Sequence, residues 1–199
     1  ITGVLEELDG GAALIALDGG LAREVLVPAY LADRLNGKWG GAAAIGATVS
    51  LHTLEYLESQ NQGASFIPRL IGFVAPLERD FFELLTSVKG LGNKRALRAM
   101  TVDPGSIARS IHERDTRALQ RLPEIGPKLA ELIVHELRGK VERFVHLPGP
   151  GNGAAPVAAS VEPKPSIPAG RVENGASKKP RVRLGDASTS PTPSVPPIR

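Results

Sequence analysis

Along the first 75 positions, apolar and polar residues alternate in short runs that glycines break apart. The runs are TGVLEEL from Thr2, AALIALD from Ala12, REVLVPA from Arg23, ATVSLHTLEYLE from Ala47 and FIPRLIGF from Phe66. Each is rich in β-favouring residues, and turns such as Asp18-Gly19-Gly20 separate them. About five strands in about 70 residues predict a small closed barrel of the oligonucleotide/oligosaccharide-binding (OB) type rather than a sandwich. A small β-barrel with no ligand has the same pattern.

At Pro76 the period lengthens. APLERDFFELLTSV from Ala75 places Leu77, Phe81, Leu84 and Leu85 on one helical face, and Pro76 suits a first turn that needs no N–H. Four further helical pieces follow. The first spans Gly92–Met100, the second is capped by Asp103 with Pro104 next, and the third is capped by Asp115. The longest spans Gly126–Val145, with Leu129, Leu132, Ile133, Leu137 and Val141 on one side. The pattern thus predicts an α+β chain with a β-barrel over 1–75, a helical domain over 76–145 and a tail over 146–199. That tail holds 11 of the 17 prolines and shows neither period. It has too few large apolar residues to offset its ordering entropy, which predicts disorder.

Composition narrows the classes. With 42% hydrophobic but only 4% aromatic residues, the cores must be aliphatic. The absence of cysteine excludes a disulfide framework, a thiol nucleophile and a thiolate metal site. His52, His112, His135 and His146 are scattered, without metal-ligand spacing. No run approaches the ~18 apolar residues of a membrane span, and the start has no signal-peptide pattern. A cytoplasmic protein without metal or cofactor is expected. The net charge of +3 divides into −4 over 1–75, +3 over 76–145 and +4 over the tail. The tail's KKPRVR cluster, from Lys178 to Arg183, either adds nonspecific attraction for phosphate or only solubilises.

The candidate chemistry lies in an internal repeat. SVKGLGNKRALRAM aligns with RLPEIGPKLAELIV, matching Val88 with Leu122, Leu91 with Ile125, Gly92 with Gly126, Lys94 with Lys128 and Ala96 with Ala130. This is the helix-hairpin-helix pattern, and two copies 34 residues apart are far more specific than one. In each copy a central apolar residue plugs the helix pair. A glycine then leaves room for a ligand to approach the backbone. The following helix aims unpaired N–H groups outward, as an anion site. Lys94 and Lys128 add full charges, with Lys89, Gly90 and Arg95 beside the first turn. Contacts of this kind hold phosphate without reading bases.

A nucleotide is the rival ligand, and it fails on detail. No G-x-x-x-x-G-K-[ST] occurs, and Arg95 stands where the dinucleotide fingerprint needs its third glycine. The pairs Glu6/Glu7 and Asp80/Glu83 read as solvated faces. No active site is expected. Tandem hairpins also serve as protein-interaction modules, but the paired lysines favour nucleic acid.

ITGVLEEL at the start, LIGFVAPLERDFFELLTSVKGLGNK from Leu70 and LPEIGPKLAELIVHELRGK from Leu122 resemble the RuvA family over roughly residues 1–145. The resemblance implies a homotetramer that holds a four-way (Holliday) DNA junction open, with barrels at the centre and hairpins on the arms. It further implies a nucleoid-associated bacterial protein with no catalytic step of its own. A hexameric RuvB-type ATPase would drive branch migration in recombination and repair. Three departures stand out. Glu124 occupies a position where the family usually has glycine, which predicts repulsion at the second phosphate site and makes the first hairpin the stronger. Of the family's acidic pair at the junction centre, Glu58 matches one member and Ser59 the other; Glu55 is the substitute, although alternation puts it on the opposite face. The family's C-terminal motor-contacting domain is not recognisable in 146–199. The other readings are a protein-interaction scaffold and a structure-selective DNA-binding protein without motor coupling.

Overall fold

The computed structural model describes residues 1–38, 43–60 and 65–147; of the proline-rich tail only His146 and Leu147 fall within them, and its basic cluster lies outside. Six strands form one sheet: β1 (Thr2–Asp9), β2 (Ala12–Leu17), β3 (Leu21–Leu26), β4 (Thr48–Ser50), β5 (His52–Gln60) and β6 (Ser65–Phe73). Their order is β4-β1-β2-β3-β6-β5, antiparallel except for the β3–β6 pair.

The fourth run of the sequence pattern forms two strands rather than one. β4 pairs with β1 and β5 with β6, and Leu51 alone separates them. The hydrogen-bonded ladder is therefore open, where the pattern predicted closure, and the architecture is OB-like. Leu51 N–H donates to Ile1 O at 2.8 Å, while its side chain is buried. Gly72 admits it: a Cβ there would lie 2.8 Å from Leu51 Cδ1 and from Val25 Cγ1.

A helix that the sequence pattern did not indicate, α1 (Ala29–Leu35), follows β3. It has neither the side-chain cap that marks the shorter α5 nor the repeated turn that marks the equally short α3, and Pro28 ends the strand run just before it. Five more helices carry the second half: α2 (Pro76–Thr86), α3 (Asn93–Ala99), α4 (Pro104–His112), α5 (Thr116–Gln120) and α6 (Pro127–Leu137). Asp103 and Asp115 cap as expected, accepting from Ser106 N and Ala118 N at 2.9 Å each. The last helix stops at Leu137 rather than Val145, and a 3-10 turn over Glu142–Phe144 follows. Val141 is nonetheless buried, so its apolar spacing carries across a turn. Phe144 packs edge-on against Phe81 with ring centroids 5.3 Å apart. Phe82, outside the predicted apolar face, is fully buried and lies 5.2 Å from the Phe73 ring of β6.

One apolar core runs from the sheet into the helices, and a polar node fixes their junction. Glu78 of α2, only 8% exposed, accepts from Tyr30 Oη at 2.9 Å and from Val74 N at 3.0 Å. Tyr30 N–H donates to Met100 O at 2.8 Å, beyond the end of α3. Burial, reinforced by the Glu78 carboxylate, pushes the Tyr30 hydroxyl well above its ordinary value of 10.0. It therefore stays a donor. Removing it leaves a buried acceptor short of a partner, so Tyr30→Phe should cost about 1–3 kcal/mol. Urea denaturation checks this as a lower midpoint at unchanged slope.

Candidate nucleic-acid interface

The repeated turn is built twice in the same way. In the first hairpin, between α2 and α3, Val88 and Leu91 are buried and Leu91 N–H donates to Val88 O at 3.1 Å. In the second, between α5 and α6, Leu122 and Ile125 take those places, with Ile125 N–H on Leu122 O at 3.3 Å. Between each buried pair the backbone reverses through positive φ, at Gly90 (91°) and Glu124 (67°). Gly92 and Gly126 then stand as N-caps. A Cβ at either would meet no atom within 4 Å. These two glycines leave the outer surface bare; they do not make room inside the fold.

The first turn and the opening of α6 share a groove of about 250 Å³, lined by Lys89, Gly90, Arg95, Lys128, Leu129 and Leu132. Lys89 and Lys128 are exposed and have no ion-pair partner among the described residues. Leu129 and Leu132, assigned to the packing face by period alone, are half-buried and form the apolar floor.

Lys94 does not line that groove. It pairs with Glu58 of β5, joining the predicted phosphate lysine to the predicted central acid. Glu58 also accepts from Arg69 Nε at 3.0 Å, and Arg69 Nη1 reaches Glu24 at 2.5 Å. Lys94 and Arg69 together hold the Glu58 carboxyl below its ordinary value of 4.5. In the β5–β6 register Glu58 faces Ile67 and Glu55 faces Leu70. An odd offset along one strand puts the two acids on opposite faces, as alternation predicted. Tyr56, on the Glu58 face, was missed by sequence reading. It lines the space between β5 and α3 with Gly92 and Asn93, and its buried hydroxyl has no hydrogen-bond partner among the described residues.

Glu124 also behaves differently from the simple expectation. Its carboxylate pairs with the first hairpin's cations, Arg98 Nε at 3.0 Å and Arg95 Nε at 3.3 Å. Arg95 Nη2 donates to Glu124 O at 2.9 Å, and Nη1 to Gly90 O at 2.7 Å. The acid thus draws on the first site's charge. Arg98 had no place among the sequence candidates, because nothing local distinguishes it from any exposed helix arginine.

Two hairpins of one design, set against an OB-like sheet, define a tandem helix-hairpin-helix protein. The family model described as "SAM-like Helix-hairpin-helix tandem" matches residues 82–140. Several relatives bear the name "Holliday junction branch migration complex subunit RuvA". That of Rhodopirellula baltica is 48% identical over 100 residues, which is 50% of this chain and 48% of that protein, about half its length. That of Agrobacterium fabrum is 33% identical over 172 residues, covering 81% of this chain and 77% of the relative. That of Sphingopyxis alaskensis is 35% identical over 162 residues, covering 81% and 74%. The chain belongs to the RuvA family.

The depressed Glu58 pKa gives a signed pH prediction. Pairing with Lys94 and Arg69 stabilises the fold only while Glu58 is ionised. The advantage of the wild type over Glu58→Gln should therefore be complete above the ordinary carboxyl value of 4.5 and vanish as pH falls through the lowered one. Urea midpoints of both proteins, from neutral pH into the acid range, read this directly. A difference that does not change with pH would rule it out.

Proposed function

We propose that this protein binds four-way DNA junctions through backbone phosphates, without reading base sequence. It would act as the non-catalytic subunit of a branch-migration complex, with ATP hydrolysis in a RuvB-type hexameric partner. The observation that carries this reading is the convergence of Lys89, Gly90 and Arg95 with Lys128 on one groove. Exposed cations beside the bare start of α6 suit phosphate, a group that is the same at every nucleotide. Membership of the RuvA family supplies the junction as the form of DNA. Gly92, Gly126 and Lys94 would complete the phosphate contacts, with Glu58 as the central acid and Glu55 outside it. Residues 1–75 and 76–145 would be the central and arm-gripping parts of a homotetramer. Contacts that are weak in one protomer would then gain through effective concentration.

An electrophoretic shift assay comparing a four-way junction with linear duplex of equal length, at two salt concentrations, tests the proposal. The junction should be preferred and binding should weaken with salt, because neutralised phosphates release counterions. Equal affinity for the two DNAs sinks the junction reading.

The charge pairing also reorders the two hairpins. Among the described residues Lys128 has no carboxylate to leave, whereas Lys94 must give up Glu58 before it can serve a phosphate. Lys128→Glu should thus weaken junction binding more than Lys94→Glu, and lower the salt slope by about 1 or more. The opposite order would show that the first hairpin, expected from sequence to be the stronger, carries the binding after all.

A further inference from the structure

We infer that Glu124 is a positioning residue that clasps the two hairpins together while withholding Arg95 and Arg98 from phosphate, so that it sets how many cations the DNA-binding face presents. The inference rests on the reading of that face as a phosphate surface and adds to it a residue that tunes it.

Three observations carry it. The first is conformational. Glu124 sits at φ 67°, matching Gly90 at 91° in the other hairpin. Residues with a side chain seldom adopt this region, and one persists there when its surroundings over-determine it. The second is what over-determines it. Arg95 and Arg98, three apart on α3, share one face and take one carboxylate oxygen each. The same Arg95 guanidinium reaches the carbonyls of Glu124 and Gly90, one in each hairpin turn. A single residue pair therefore ties turn to turn, and a glycine at 124 would leave both arginines without that acid.

The third observation is location. Arg95 lines the groove that holds Lys89 and Lys128. Arg98 lines a larger cleft of about 490 Å³, between α3 and the β2–β3–α1 side of the sheet, with Lys38, its ion-pair partner Asp33, and the Glu58-paired Lys94. Glu124 therefore neutralises two arginines, one beside the lysines of the groove and one at the mouth of the cleft, that would otherwise be open to an anion. Its carboxylate makes charge-assisted bonds of the kind a phosphate oxygen would make to the same guanidinium groups. The acid acts as a built-in competitor for DNA, and the backbone clasp keeps the hairpins in register while it does so.

Glu124→Gln keeps the side chain's length and removes its charge; Glu124→Gly also removes the backbone constraint. Fluorescence anisotropy with a four-way junction and with linear duplex, across a salt series, compares both variants with the wild type. Glu124→Gln should bind either DNA about two- to tenfold more tightly at low salt. Its dependence of log affinity on log salt should be steeper by about 1 to 2, one unit for each arginine released to a phosphate. Adding Arg98→Gln to Glu124→Gln should remove about half of that gain in slope. Glu124→Gly, which stays at ease at positive φ, should show the same steeper slope even if looser hairpins lower its affinity. An unchanged slope in both variants overturns the inference, because a purely structural clasp alters affinity without altering the number of counterions released. The wild type's preference for the junction over duplex is read in the same experiment. Its absence would overturn the proposed function, while the slope comparison on duplex would still decide the role of Glu124.

Discussion

Burial of one apolar side chain in each hairpin turn is the constraint from which the rest of the helical half follows. Leu91 is 1% exposed and Ile125 5%. Each pulls its turn tight enough that the residue before it must take positive φ, and the glycine after it begins a new helix facing outward. The surface that results carries exposed backbone amides and few side chains, which is chemistry suited to an anion. The Glu78 node then fixes where this surface lies relative to the sheet. It ties α1 to α2 through buried hydrogen bonds, and the apolar core continues across that junction.

On this frame the charges are cross-paired in a way that distance along the chain conceals. Lys94 is opposed by Glu58, and Arg95 and Arg98 by Glu124. Lys89 and Lys128 have no ion-pair partner among the described residues. Half-exposed ion pairs of this kind contribute little to stability, typically about 0–1 kcal/mol. Their larger consequence would be for ligands: a phosphate arriving at Lys94 or Arg95 would exchange one anion for another, whereas at Lys128 it would meet a cation with no carboxylate partner among the described residues. Net charge, and even charge per segment, does not reveal this distinction.

Most of the architecture was legible in the sequence because it rests on local signals. The glycine turns mark strand ends, Pro76 and the two aspartate caps mark helix starts, and the aligned turns mark the hairpins. What was not legible has identifiable physical causes. α1 is short and carries neither a capping side chain nor a repeated turn to mark it. The break at Leu51 depends on which neighbours β4 and β5 find, and the end of α6 at Leu137 is hidden because Val141 and Phe144 stay buried beyond it. At the site, residue types and spacing pointed to Lys94 and Glu58 separately, but nothing along the chain could show that they meet. Glu124 was readable as a departure, and its neighbours were not. A repulsive carboxylate at the second turn and a cation-pairing carboxylate on the first look identical until α3 is placed against that turn.

The same geometry bears on how the proposed junction binding could rely on so spare a surface. A protein that must hold DNA while the strands move past it cannot use base contacts, since each would have to be broken at every step. It also cannot use a few very strong phosphate contacts, for the same reason. Cations that are already paired answer this requirement. If a phosphate is held by Lys94 or Arg95 as proposed, the carboxylate of Glu58 or Glu124 would replace it on leaving, so the released cation would not be left bare and the energy difference between bound and free would be reduced at each contact. Affinity would then come from many such contacts held together by the subunits, and the acids on the binding face would serve mobility as much as they limit grip.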